Sequence, residues 1–229
     1  MYAAYRNQVP VLLCGPNGAD IADSFSYALC GAQAGTLRLK RDFDVDDLRE
    51  ALPSFSPIIK VEHAIDRMHS GSIPELLRTC DNSFFFFLHP FVEDIQMEPN
   101  SLLSYVSLLL TDTFVERMPE KGYEGGRPAS QYLDYESQRR SHNSLLKLTS
   151  LRIMPLVQSR MQQLAKAMSL LLPEETMDSS FLYCTLPYAY ASMQAERVIE
   201  EVKGAKVLRE KISNKALSEA EYFYGNVKE

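Results

Sequence analysis

Seven residues combine a reactive or ligand-binding type with a telling position: Gly15, Asn17, Gly18, Asp20, Glu62, His63 and His89. Gly15-Pro16-Asn17-Gly18 interrupts the apolar run Val11–Cys14 and opens a helical pattern. The N–H groups of a first helical turn have no partner within the helix and attract anions, so a turn of this kind can cradle phosphate. Asp20 puts a carboxylate into that turn. Glu62 and His63 follow the apolar segment Pro57–Val61, where a carboxylate and an imidazole can bind a cation or move a proton. His89 ends the run Phe84–Leu88, at the strand end where open α/β sheets place ligands. A separate set is basic. Residues 137–173 hold Arg139, Arg140, Lys147, Arg152, Arg160 and Lys166 and no acid, a local charge of +6 in a chain of −6. Such a stretch can meet phosphates or an acidic surface; it can equally neutralise the acidic remainder of the same chain. Two oxygen- or nitrogen-rich groups, Asp42/Asp44/Asp46/Asp47 and His63/Asp66/His69, match neither calcium-loop nor zinc-helix spacing. The first reads as the cap and first turn of a helix over Val45–Leu52, and no metal is expected.

The elements that must position these residues follow from periodicity. Val11–Cys14 reads as a buried strand, and Ile21, Phe25, Ala28 and Leu29 give the helix after it an apolar face. Thr36–Lys40 alternates as a half-buried or edge strand does. Pro57–Val61 is a third strand and Ile73–Arg78 a short helix. Phe84–Leu88, apolar without alternation, is a strand covered on both faces, as in a parallel sheet. The order strand, helix, strand, helix, strand, helix, strand predicts an α/β parallel sheet with flanking helices, followed by a mostly helical C-terminal region. The expected division is an α/β domain over residues 1–98 and a helical region over 99–229, with a flexible Gly/Pro loop near 119–130. In the second part, Leu102–Val115 has helical spacing, and Pro155 marks a kink or a new helix start. Phe181–Leu186 fits a short strand or a buried helical turn. A helical run follows from Pro187 to about Ile212, and a last short helix spans Lys215–Tyr224.

The segments VPVLLCGPNGA, PIIKVEHAIDRM, SIPELLRTC and NSFFFFLHP resemble, in order, the phosphate loop, the second acidic strand, the following helix and the sensor strand of P-loop NTPases of the AAA+ kind. The resemblance is one of pattern and covers about the first 95 residues. It implies a nucleotide-binding fold. The motif G-x-x-x-x-G-K-[ST] is degenerate here: counted from Gly15, Asp20 stands at the second glycine, Ile21 at the phosphate-binding lysine and Ala22 at the magnesium-holding hydroxyl. Glu62 and His63 occupy the positions of the Asp-Glu pair.

The resulting expectation is a non-hydrolysing P-loop-like interaction or regulatory subunit of a larger protein assembly. It would have no catalytic residues and no cofactor, and its partners would be proteins. The alternative is a nucleic-acid-associated subunit of a DNA-processing complex, using the basic residues over 139–166; the acidic net charge weighs against general nucleic-acid binding. A third reading, an enzyme of another type, would draw on Asp20, Glu62, His63 and His89 converging at the strand ends. No signal-peptide pattern opens the chain and no apolar run is long enough to span a bilayer, so the expected location is cytoplasmic and off the membrane, with oligomerisation left open. Cys14, Cys30, Cys80 and Cys184, with no CxxC spacing, read as reduced thiols.

Overall fold

The computed structural model describes residues 1–38, 56–62, 72–79, 82–97, 100–113, 150–171 and 176–225. Its centre is a five-stranded sheet of β1 (Val11–Cys14), β2 (Gly35–Arg38), β3 (Ile58–Glu62), β4 (Phe84–His89) and β5 (Ser107–Leu110), in the spatial order β2-β3-β4-β1-β5. Every pairing is parallel. Helix α1 (Tyr2–Arg6) precedes the sheet and α2 (Gly18–Cys30) leaves β1. Helices α3 (Ser72–Thr79) and α4 (Asn100–Leu103) flank β4, with a 3-10 turn at Glu93–Met97.

The aromatic run of β4 explains the layering. Successive side chains of a strand point to opposite faces. Phe84 and Phe86 therefore join Tyr5 and Phe25 on the face covered by α1 and α2, through edge-on ring contacts at 5.2–5.4 Å. Phe85 and Phe87 turn to the other face, with Leu12, Cys14 and Leu110. All six β4 residues are buried, as the unbroken apolar run requires. Beneath α2, Lys60 of β3 extends toward the helix and pairs with Asp23 at 2.6 Å, both side chains being less than one-fifth exposed.

The fifth strand is a correction. The spacing of Leu102, Leu103, Val106, Leu109 and Leu110 reads as one helix, but among the described residues of that stretch only Asn100–Leu103 is α-helical, and Ser107–Leu110 pairs with β1. A fully buried strand has no alternation, so a short apolar run fits both periods and its pairing partner decides. The sheet thus takes a strand from beyond residue 98.

The C-terminal part is helical: α5 (Pro155–Leu171), α6 (Thr176–Ser180), α7 (Leu186–Ala191), α8 (Ala195–Gly204), α9 (Lys206–Arg209) and α10 (Asn214–Tyr224). Pro155 is the first residue of α5, where its missing N–H costs nothing. Phe181–Thr185, open between strand and helix in the sequence, is a π-helical turn joining α6 to α7. The expected run from Pro187 to Ile212 is broken after Ala191, where Met193 takes a positive φ of 54°, and again at Ala205, whose backbone is extended. The small-residue seam Ala191–Leu208 is therefore shared among separate helices. Its members Ala195, Val198, Val202 and Leu208 sit in the same cluster as the sheet residues Leu12, Val61 and Leu108. No helix among the described residues is long and apolar enough to cross a membrane. The helix expected at Val45–Leu52 and the loop near 119–130 lie outside the described residues.

Candidate site at the strand ends

The connection from β1 runs across β4 and β3 to β2, whereas the chain leaving β4 crosses β1 to reach β5. Adjacent strands whose exits diverge open a crevice at their carboxyl ends, and open α/β sheets bind ligands there. The residues at this point are Cys14 and Gly15 after β1, His89–Asp94 after β4, and Thr111 and Asp112 after β5.

Gly15 is buried with φ of 121°, and its N–H donates to the His89 carbonyl at 2.7 Å, so the turn continues the β1–β4 pairing by one bond. Asn17, exposed in the left-handed region at φ of 61°, stands at the N-cap of α2 without a side-chain capping bond. Short polar side chains tolerate this conformation. Gly18 is buried because the helix start lies flat on the sheet; a Cβ there would touch Leu13 and Leu88 at 3.4–3.5 Å. Asp20 points outward and is exposed. Ile21, at the lysine position of the motif, is partly buried and packs against the α2-side core.

The turn is closed from the β5 side. Thr111 Oγ1 donates to the Pro16 carbonyl at 2.5 Å and lies 3.3 Å from the Cys14 carbonyl. A Cβ on Gly15 would overlap Thr111 Oγ1 and approach Val92 Cγ2 at 3.0 Å and Asp112 Oδ1 at 3.3 Å. The space beside Gly15 is thus held by the Thr111 hydroxyl, the Val92 methyl and the Asp112 carboxyl.

The surroundings are acidic. The Asp112 carboxyl is raised above its ordinary range, by partial burial and then by the Glu93 carboxylate. Burial, followed by Glu93, Cys14 and Asp112, raises the Tyr190 phenol. His89 is 2 % exposed; its Nε2 lies 2.9 Å from Asp94 Oδ2, and its Nδ1 is buried without a hydrogen-bond partner among the described residues. Cys14 Sγ donates to the Phe91 carbonyl at 3.2 Å, while the Phe91 ring is 60 % exposed. Among the described residues, no ion pair joins a Lys or Arg to Glu93 or Asp112, and no three His, Cys, Asp or Glu side chains converge as ligands of a metal.

The sequence-predicted residues are only partly brought together. Gly15, Asn17, Gly18, Asp20 and His89 surround the β1 and β4 ends. Glu62 does not join them. It pairs with Arg38 at 2.7 Å on the β2–β3 side, and its register partner is Leu88, so it shares the face opposite His89. His63 lies outside the described residues, as do Arg139, Arg140 and Lys147. Of the remaining basic residues, Arg152 and Lys166 are exposed, whereas Arg160 turns back to donate to the Ser104 carbonyl at 3.3 Å and Gln163 Oε1 at 2.8 Å. Thr111, Asp112, Glu93, Asp94 and Tyr190 had not been singled out from the sequence. The first two are marked only by standing after an apolar run, and that run reads as helix until its pairing with β1 is seen. Cys14 and Cys184 are buried as expected, while Cys30 is exposed and Cys80 lies outside the described residues.

Compared with models of known protein families, with curated proteins and with solved structures, the chain matches none. The class its fold defines is a parallel α/β sheet flanked by helices, continued by a largely helical region.

Proposed function

We propose that this chain is a non-hydrolysing P-loop-like subunit, of the degenerate AAA+ kind, that works by binding a protein partner within a larger assembly. The observation that carries the reading is the closed turn after β1. Thr111 and Asp112 fill the position over Gly15, Ile21 packs into the core where a lysine would meet phosphate, and Asp20 and Asp112 present negative charge to any phosphate. Anions bind at helix starts through free N–H groups and complementary charge, and here the charge has the wrong sign. The retained order of β1, turn and α2, with β4 directly beside β1, supports descent of the architecture from a nucleotide-binding one. Phe91, a large exposed aromatic next to the strand ends, is of the residue type that anchors protein interfaces.

Two measurements test this. Purified protein given Mg²⁺ with ATP or GTP is expected to release no phosphate above the buffer rate; turnover abolished by Asp112→Asn at the strand ends would overturn the non-hydrolysing reading. A photo-crosslinking amino acid at Phe91 is expected to trap one discrete protein in the native host, while the same group at the exposed Lys166 does not. Equal, diffuse crosslinking from both positions would remove the interaction role.

A further inference from the structure

A cavity of about 350 Å³ lies on the other face of the sheet from Cys14 and His89. Its walls are α1, the outer strand β5, α5 and the π-helical turn, through Ala3, Ala4, Leu109, Leu164, Tyr183 and Cys184. Two independent features mark it. The first is its size: small-molecule sites begin near 300 Å³. The second is its wall. Phe181–Thr185 is π-helical, with Thr185 Oγ1 donating to the Ser180 carbonyl at 3.1 Å across the widened turn. Single π-helical turns within helices are rare and occur frequently at functional sites. This one carries Tyr183 and Cys184 to the cavity.

The walls also say what fits. Ala4, Leu164 and Cys184 are each no more than 3 % exposed, and Ala3, Ser107 and Leu109 no more than 7 %. The lining contains no Asp, Glu, Lys, Arg or His side chain. The Cys184 thiol, 3.1 Å from Met168 Sδ, is pushed by burial to a pKa of about 12 and stays protonated. The side-chain polar groups left in the lining are uncharged, chiefly the Ser107 hydroxyl. Bringing a charged ligand into such walls would strip its hydration without compensation.

We propose that the cavity between α1, β5, α5 and the π-helical turn binds one uncharged, slender aliphatic molecule of about ten to twelve non-hydrogen atoms, at roughly 30 Å³ per atom. The inference does not depend on the reading of the strand-end site, because the two share no residue and involve different probes. Isothermal titration of the full chain with decan-1-ol is expected to show saturable one-to-one binding with a negative heat-capacity change. Ala3→Leu and Leu109→Phe, which add atoms into the void from opposite walls, should each weaken it at least tenfold. Sodium decanoate and decylammonium should bind at least tenfold more weakly than the alcohol. A chain that takes up decan-1-ol without saturation overturns the site. So does undiminished affinity in whichever filling variants keep the wild-type circular dichroism spectrum. Decanoate or decylammonium binding as tightly as the alcohol overturns the assignment of an uncharged ligand.

Discussion

Cys184 shows how position alone sets the chemistry of a residue. Its thiol is 3 % exposed and holds its proton to a pH of about 12, whereas an unfolded cysteine loses its proton near 8.5. The thiolate is the reactive form, so this cysteine is packing rather than nucleophile. The consequence for stability has a definite sign. Between the two values the unfolded chain has released a proton that the folded chain keeps, so stability falls as pH rises through that window and is unaffected below it. Tyr188, also raised by burial, adds to the same trend at higher pH. Urea midpoints measured at pH 7, 8 and 10 should therefore fall with pH, with roughly 2 kcal/mol of the loss between pH 8 and 10 belonging to Cys184. Cys184→Ala should lower the midpoint at pH 7 through lost packing yet flatten the decline above pH 8. An unchanged slope in the variant would contradict the assignment.

At the scale of elements, the unit β1–turn–α2 was legible from the apolar run, the GPNG turn and the helical period after it. The helix ends where Gly31 adopts φ of 72° and its N–H donates to the Tyr27 carbonyl, so that stop was legible as well. The element that closes the turn was not. Thr111 sits 96 positions from Gly15 in the chain, and no local pattern connects them. Gly15→Ala tests the closure. A side chain there meets both a φ of 121° and Thr111 Oγ1, so the substitution should cost about 1–3 kcal/mol from backbone strain, plus the overlap. In a Thr111→Ala background the overlap with the hydroxyl is gone, and the strain and the close approach to Val92 remain, so Gly15→Ala should cost less there than in the wild-type chain. Strictly additive thermal-denaturation energies would show that the two residues do not meet. The basic stretch offers the opposite lesson. Its charges were plain to see, but only folding shows that Arg160 bonds back to Ser104 and Gln163.

At the scale of the molecule, the sheet and the C-terminal helices share one core, and Tyr188 joins them. Its hydroxyl donates to the Val106 carbonyl at 2.7 Å and accepts from the Leu108 N–H at 3.2 Å, tying α7 to the strand that ends the sheet. An outer strand otherwise presents unpaired backbone groups. Tyr188→Phe keeps the ring and strands both groups in a fully buried place, so it should destabilise the chain by about 2 kcal/mol by urea or thermal denaturation. It should also speed amide hydrogen exchange at Leu108 before it does so at Leu12 in the sheet centre. By itself the sequence determined the residues that must be buried: Val11–Cys14, Phe84–Leu88 and, around Lys60, Ile58, Ile59 and Val61 are apolar residues that water excludes wherever they pack, and they carry the parallel sheet with them. It also determined that Ile21 and Ala22, and neither a lysine nor a hydroxyl, follow the turn after β1, which depends on residue identity alone. Only the tertiary structure decided that Ser107–Leu110 is a strand, that Glu62 is held by Arg38 away from His89, and that Thr111 and Asp112 occupy the turn after β1. The physical reason is common to all three: each depends on a partner distant in the chain, and hydrogen bonds, ion pairs and steric overlap act through space, where sequence spacing is blind.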